Sequence, residues 1–416
     1  MLQRLFLFAI VTLFFSNCSK VKTDTLFTQL PSSDTGIDFI NEVKNGEDMN
    51  IFKYRNFYNG GGVAIGDINN DGLSDVYFTS NLGKNKLYLN KGNFKFEDIS
   101  LKAGVEGKKV WSTGVVMVDI NADGLLDIYV CNAGNSKGSQ QNNELFINNG
   151  NLTFTEKAEE YNLADTGITT HAAFFDYDKD GDLDVYILNN SFIPVSSLNY
   201  SNKRELRDKD WDVADILKGG GDKLLHNDYG KFVDVSEAAG IYGSLIGFGL
   251  GVTVGDVNGD LFPDIYISND FYERDYLYIN NKNGTFSEKI QDWTMHLSQS
   301  SMGDDMADVN NDGKADIFVT DMLPEPDDRL KTTTNFENYD LFTRKLNLDF
   351  YTQFMQNTLQ LNNGNQQFSE IANYAGVAKT DWSWGALLFD MDNDGLKEIY
   401  VCNGIYHDLT NQDFMY

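Results

Sequence analysis

One short acidic loop recurs along this chain, and its recurrence limits the fold more than any other feature. The six copies are Asp67-Ile-Asn-Asn-Asp-Gly-Leu-Ser-Asp75, Asp119-Ile-Asn-Ala-Asp-Gly-Leu-Leu-Asp127, Asp176-Tyr-Asp-Lys-Asp-Gly-Asp-Leu-Asp184, Asp256-Val-Asn-Gly-Asp-Leu-Phe-Pro-Asp264, Asp308-Val-Asn-Asn-Asp-Gly-Lys-Ala-Asp316 and Asp390-Met-Asp-Asn-Asp-Gly-Leu-Lys-Glu398. Each runs into a short β-branched and aromatic stretch such as Ile-Tyr-Val, which has the composition of a strand. The starts are separated by 52, 57, 80, 52 and 82 residues. One unit is therefore repeated, and two of its copies carry insertions, at 190–222 and 322–356.

A second signature fills the interval between loops. Lys86-Leu-Tyr-Leu-Asn90 is followed by Phe96-Glu-Asp, and Lys223-Leu-Leu-His-Asn227 by Phe232-Val-Asp. Asp275-Tyr-Leu-Tyr-Ile-Asn280 and Thr358-Leu-Gln-Leu-Asn362 repeat it, each with a Phe-Ser-Glu partner at Phe286 and Phe368. Asn-Gly and Gly-Asn turns separate these strands. Five residues ahead of the first Asp stands a glycine (Gly62, Gly114, Gly251, Gly303, Gly385), replaced by His171 in the third copy. One unit thus reads strand, acidic loop, strand, Asn-Gly strand, Phe-x-Asp strand. The expected fold is all-β, a propeller of six or seven four-stranded blades. No helix of comparable regularity alternates with the strands, which excludes a parallel α/β sheet.

The loop's spacing is that of a cage for a hard cation. Oxygens at positions 1, 3, 5 and 9, with the backbone carbonyl of position 7, surround a tight turn that Gly at position 6 permits. The first loop offers Asp67, Asn69, Asp71, Asp75 and the Leu73 carbonyl; the second Asp119, Asn121, Asp123, Asp127 and Leu125. The third offers Asp176, Asp178, Asp180, Asp184 and Asp182; the fourth Asp256, Asn258, Asp260, Asp264 and Phe262. The fifth offers Asp308, Asn310, Asp312, Asp316 and Lys314; the sixth Asp390, Asp392, Asp394, Glu398 and Leu396. About six structural Ca2+ ions are expected. These are not EF-hands, because the last acid stands at position 9 and leads into a strand, not at position 12 and into a helix. The fourth loop, with Leu261 for Gly, and the sixth, closing on Glu398, depart furthest from the pattern.

Charge points the same way: 62 Asp+Glu against 33 Lys+Arg give a formal net charge of -29, which repels phosphate backbones and argues against a nucleic-acid partner. Residues 1–18 read as an export signal, with Arg4 ahead of an apolar Leu5–Phe15 stretch too short to span a bilayer. Ser16-Asn17-Cys18-Ser19 resembles a lipobox, so Cys18 is the expected lipidation site, followed by a linker over 19–25. The expected location is outside the cytoplasm, as an outer-membrane or cell-surface lipoprotein held by its lipid anchor. Cys131 and Cys402 occupy one repeat position, where two buried, unpaired thiols are expected. His171 and His226 stand on repeat strands, where packing is the expected role.

The loops, with the Phe-x-Asp and Ala-Gly-Val segments, resemble the FG-GAP/VCBS repeats of integrin α-subunit propellers. Tyr58-Asn-Gly-Gly-Gly-Val-Ala-Ile-Gly-Asp67, His171-Ala-Ala-Phe-Phe-Asp176 and Gln356-Asn-Thr-Leu-Gln-Leu-Asn362 are similar to bacterial VCBS-repeat lipoproteins grouped with ASPIC/UnbV proteins. The resemblance covers about residues 26–410 and implies a propeller over 26–403, metals in the hairpin loops and no known chemistry. Residues 404–416 form a tail, shorter than in larger relatives, and the sixth unit lacks its Leu-Tyr-Leu-Asn strand. Phe27-Thr-Gln-Leu with Gly36-Ile37 resembles a stray Phe-x-Asp strand that would close the last blade.

The functional expectation is a non-catalytic adhesion or ligand-binding module, recognising protein or glycan through blade-face loops. The inserted segments, with Lys203–Trp211 in the first, have the Tyr, Phe, Trp and Arg content of recognition surfaces, or else pack over the propeller. The alternative is a propeller enzyme acting on polysaccharide, a lyase or glycosidase, which would need two carboxylates free of metal or a His/Tyr base at one pocket. Trp111, Trp382 and Trp384 hold equivalent repeat positions and are expected to pack the blades.

Overall fold

A computed structural model describes residues 25–47, 49–133, 141–334, 337–406 and 410–415. The export segment with Cys18, and His407, lie outside the described residues. Each repeat unit forms one antiparallel sheet whose strands follow chain order. Blade 1 is Val63–Gly66, Asp75–Phe78, Lys86–Asn90 and Phe96–Asp98. Blade 2 is Ser112–Val118, Asp127–Asn132, Glu144–Asn148 and Phe154–Glu156. Blade 3 is Thr169–Phe175, Asp184–Asn189, Lys223–Asn227 and Phe232–Asp234. Blade 4 is Gly249–Gly255, Asp264–Asn269, Tyr276–Asn280 and Phe286–Glu288. Blade 5 is Asp304–Ala307, Asp316–Val319, Thr358–Asn362 and Phe368–Glu370. Blade 6 consists of Ser383–Phe389 and Glu398–Asn403.

The first strands of successive blades pack side by side from blade 1 to blade 6. Here the recurrent glycine finds its reason. A Cβ on Gly303 would lie 2.4 Å from the Trp384 carbonyl of the next blade, and one on Gly114 would lie 2.6 Å from the Thr170 carbonyl. Only a residue without a side chain lets the backbones approach so closely. Threonine hydroxyls bridge neighbouring blades, from Thr113 to the Thr169 carbonyl (2.6 Å) and from Thr170 to the Gly249 carbonyl (2.9 Å).

Apolar burial lies between blades. Tyr77, Leu87 and Leu89 of blade 1 join Val115, Ile128 and Val130 of blade 2 in one cluster, and Tyr129 and Leu145 of blade 2 join Val185, Ile187 and Leu225 of blade 3. Second strands are accordingly buried end to end in blades 2, 3 and 4. Each of blades 1–5 ends in a single helical turn, such as Ser100–Ala103 or Ser236–Ala239. The Ala-Gly-Val segments are these turns, and in three of them a left-handed Gly (Gly104, Gly240, Gly376) stops the helix.

Two expectations change. The segment around Gly36-Ile37 forms no strand and does not complete blade 6; it lies on blade 1. There Phe39 stacks on Phe78 at 4.9 Å, and Tyr88 donates to Asp38 Oδ1 at 2.8 Å. A favourable ring stack and a nearly buried hydroxyl needing an acceptor hold it there. Cys131 is buried, but Cys402, at the same repeat position, is exposed. Blade 6 has no outer strands among the described residues, so its second strand is left uncovered. Trp111 is buried against Tyr54 and Phe57 as expected of a packing residue, while Trp382 and Trp384, stacked at 6.3 Å, are half-buried.

Chain order also fixes two faces. Acidic loops join first to second strands, so all six lie at one end of the sheets. The insertions join second to third strands, so both lie at the other. On that face the insertions share one apolar cluster with the loops of blade 4, built from Ile193, Leu198, Trp211, Phe248, Tyr272 and Phe350. The buried Arg204 guanidinium ties them together, bonding Glu273 Oε1 at 2.6 Å and Asp349 Oδ2 at 3.0 Å. Packing over the propeller is thus the fate of Arg204 and Trp211, whereas Tyr339 and Phe354 stay exposed.

Candidate metal loops

Each acidic loop is built the same way. Position 1 accepts the position 6 amide through Oδ2, at 2.7 Å for Gly72 on Asp67 and 2.8 Å for Gly124 on Asp119. Position 3 accepts the position 5 amide, at 3.0 Å for Asp123 on Asn121 and for Asp312 on Asn310. Position 5 accepts the position 7 amide, at 2.9 Å for Leu73, Leu125 and Phe262. The turn needs left-handed backbone twice. Position 6 has φ of 84° at Gly72 and 70° at Leu261, and position 4 has φ of 58° at Asn70 and 57° at Ala122. Sequence reasoning placed the requirement only at position 6; the frequent Asn at position 4, a residue that tolerates this region, was the available signal.

Position 9 is different in kind. Asp75, Asp127, Asp184, Asp264 and Asp316 are fully buried. One oxygen accepts the position 2 amide (Ile68 at 3.0 Å, Val257 at 3.1 Å), and the other accepts the amide of the Asn ending the third strand (Asn90 at 2.7 Å, Asn280 at 2.8 Å). One carboxylate therefore binds loop, second strand and third strand. Burial, opposed by these amides, pushes Asp127 up to about 6 and Asp264 up to about 7, and raises Asp75 and Asp316. In blade 6 Glu398 keeps only the first contact, from Met391 at 2.9 Å.

The third-strand Asn extends the brace to the neighbouring blade. Asn148 donates to the Ile68 carbonyl, Asn280 to the Tyr177 carbonyl and Asn362 to the Val257 carbonyl, each at 2.8 Å. At the far end of the sheet a second Asx residue repeats the device. Asn85, Asn143, Asp222, Asp275 and Asn357 accept amides of Ser80, Asn132, Asn189, Asn269 and Asp321 at 2.7–2.9 Å. These residues head the Asn-x-Leu signature, whose role sequence reasoning did not assign.

The donor chemistry fits a hard divalent cation. Carboxylate oxygens of Asp176, Asp178 and Asp184 lie within 4.8 Å of one another, as do those of Asp390, Asp392 and Glu398. Loops 1, 2, 4 and 5 put an Asn amide at position 3 among their carboxylates. His226 joins the third loop, with Nδ1 3.1 Å from Asp184 Oδ1 and 3.6 Å from Asp178 Oδ2. It is not simply a packed side chain, because its strand position faces the loop. His171 is the packing residue expected: burial holds its pKa down, and Nδ1 has no partner.

A model of the FG-GAP-like repeat matches residues 48–130, 132–187, 256–319 and 346–401, more than half of the chain. The chain belongs to the FG-GAP-like repeat family. Among curated proteins, cartilage acidic protein 1 of Xenopus tropicalis is 35% identical to this FG-GAP-like chain over 138 residues, covering 32% of it and 20% of the relative. The Mus musculus protein of that name is 31% identical over 140 residues, 34% of this chain and 21% of the other. The match thus spans about a fifth of these relatives' length. Among solved structures, an Agrocybe aegerita lectin, described as recognising non-reducing terminal N-acetylglucosamine, has a TM-score of 0.43 and 16% identity over 81% of this chain and 73% of its own. The V. cholerae biofilm matrix protein Bap1 has a TM-score of 0.33 and 11% identity, covering 64% of this chain and 36% of that one.

Proposed function

We propose that this FG-GAP-like propeller is a calcium-braced, non-catalytic module that recognises a protein or glycan with its insertion face. Asp67, Asn69, Asp71 and Asp75, and their counterparts in the other five loops, would hold calcium as a structural brace, because the same hydrogen-bonded turn gathers these donors in every loop. The observation that carries the recognition reading is a shallow cavity of about 400 Å³ on the insertion face, lined by Tyr339, Asp340, Thr343, Arg344, Asn347 and Leu348. An exposed aromatic ring beside a guanidinium and a carboxylate suits a sugar or a peptide. The helix bearing it, Tyr339–Asn347, leads into Asp349, which Arg204 holds. The shelf is thereby anchored to the blades.

Two buried acids on the insertion face are committed to structural hydrogen bonds. Asp275, pushed up to about 8 by burial, accepts bonds from Asn269, Tyr266 and Ser301; Asp321 accepts from Ser298, Gln299, Ser300 and Gln356. Both are fully buried, so neither can meet a substrate. Among the described residues no helix is long and apolar enough to cross a membrane. The proposed attachment is a lipid on Cys18 after export, and Cys18→Ser should abolish labelling by radioactive palmitate.

The deciding experiment is a glycan array and a surface-protein pull-down with wild type and Tyr339→Ala. Saturable binding that Tyr339→Ala weakens tenfold or more, without turnover of the bound ligand, is the expected result. Cleavage of a bound polysaccharide would replace this reading with the enzyme.

A further inference from the structure

The third acidic loop departs from the other five in two independent ways, and both concern donors to a cation. The first is His226. It occupies the third-strand position held by Leu89, Ile147, Ile279 and Leu361 in the other four-stranded blades. Its ring puts nitrogen where those blades put methyl groups; a ring nitrogen and carboxylate oxygens of Asp178 and Asp180 lie within 4.8 Å of one another, and Nδ1 stands 3.1 Å from Asp184 Oδ1. Tyr177 meets the imidazole edge-on at 6.1 Å. The Asn227 amide, bonded to Asp184 Oδ1 at 2.8 Å, fixes the strand to the loop.

The second departure is Asp176. In loops 1, 2, 4, 5 and 6 the Oδ1 of position 1 accepts the position 5 amide, at 3.0–3.2 Å. Asp176 Oδ1 is sealed from solvent and has no hydrogen-bond partner. Its other oxygen holds Gly181 at 3.2 Å, against 2.7–2.8 Å in the other loops. Asp182, an acid that the other loops lack at position 7, is half-buried, and its Oδ1 likewise has no hydrogen-bond partner. A carboxylate oxygen shielded from water and without a donor is a ready ligand for a cation.

We propose that this loop is a mixed nitrogen and oxygen site for a divalent transition cation, with His226 Nδ1 as a ligand beside Asp176, Asp178 and Asp184. The proposal rests on the loops being metal sites and goes beyond it in the class of ion. Calcium selects oxygen donors, whereas an imidazole favours zinc, cobalt and their neighbours, which also accept carboxylates. Coordination through Nδ1 leaves the ring proton on Nε2.

The test uses the full chain, stripped with chelator, reloaded with calcium and titrated with Co2+ by calorimetry and visible absorption. Mn2+ loading with pulsed EPR reads any directly bound nitrogen. The expected result is one Co2+ per chain that displaces at most one calcium, and one bound nitrogen. H226L, which restores the residue of blades 1 and 5, should remove the nitrogen coupling and weaken Co2+ tenfold or more. Calcium at the other loops should be unchanged. H226Q, which keeps a polar side chain, should lose the nitrogen signal equally and guards against a misfolded H226L. Nitrogen coupling absent from wild type, or Co2+ binding indifferent to both variants, overturns this inference and leaves the calcium loops standing. Failure to bind calcium at any loop would instead overturn the brace.

Discussion

Leu261 sits where the other five loops have glycine, at a φ of 70°, with its side chain 75% exposed. Left-handed backbone costs a residue with a Cβ roughly 1–2 kcal/mol, and the exposed leucine recovers little by packing. Leu261→Gly relieves that strain but gives the unfolded chain about 0.4–1 kcal/mol of extra freedom. A net stabilisation below about 1 kcal/mol follows, read as a higher urea midpoint at unchanged slope. A lower midpoint would mean that the leucine side chain contributes something the geometry does not reveal. Asp222 and Asp275 allow a sharper test. Burial raises them to about 7 and about 8, so between pH 4 and 8 the folded chain binds more protons than the unfolded one. Their contribution is fully present below the unfolded pKa and is lost as pH rises through those values. Asn fills the same place in blades 1, 2 and 5, and Asn143 shows that the amide can donate to the tyrosine hydroxyl instead (Asn143 to Tyr129, 2.9 Å). The double variant Asp222→Asn/Asp275→Asn should therefore flatten the fall in melting temperature between pH 4 and 8 in metal-free protein.

Among the elements, the position 9 carboxylate separates two jobs that share one motif. Asp264→Ala leaves the Val257 and Asn280 amides without acceptors, a loss of about 2–5 kcal/mol even without metal. Asp260→Ala, in the solvent-facing part of the same loop, should cost far less under chelation and show its effect only when calcium is present. Comparable losses for both variants in chelator would contradict the distinction. The insertions offer a parallel case. Arg204 is 4% exposed and Glu273 1%, so Arg204→Met strands a buried carboxylate, at about 3–5 kcal/mol. Faster hydrogen exchange should appear in both insertions, and adding Glu273→Gln should restore part of the protection. Repetition made much of this legible beforehand: six loops, the strand order, the absence of a third-strand signature after the sixth loop in this sequence and the recurrent glycine could all be found from spacing. The Arg204 contacts could not, because each insertion occurs once and nothing in its own residues names a partner more than sixty positions away. His226 was visible as a polar residue in an aliphatic column, but its approach to Asp178 and Asp184 depends on how strand and loop fold together.

Across the whole molecule the loops do not act singly. Asn70 reaches the Gly124 carbonyl of the next loop at 2.9 Å, Asn311 reaches Gly395 at 3.0 Å, and the third-strand Asn residues bind backward to the preceding blade. Ordering one loop supports its neighbours, so calcium should raise the melting temperature of one cooperative transition and not sharpen a minor one. Each site held at a hundredfold its dissociation constant adds about 2.7 kcal/mol. A melting curve indifferent to chelator would remove the metal from the loops. Propeller architecture was readable because the core lies between repeats and each repeat carries half of two interfaces. The exposed Cys402 and the position of the Phe39 segment were not, since both depend on what lies beside the first and last blades. The strict chain order of the strands has a further consequence, for the route to the native state. Most pairings join neighbours in sequence, so the search each strand makes is short, and a blade can form soon after its residues leave the ribosome. The exceptions are the third strands of blades 3 and 5, which must wait for the insertions, from 189 to 223 and from 319 to 358. The face proposed to meet a ligand is therefore also where contact order is highest, and where the pace of folding should be set.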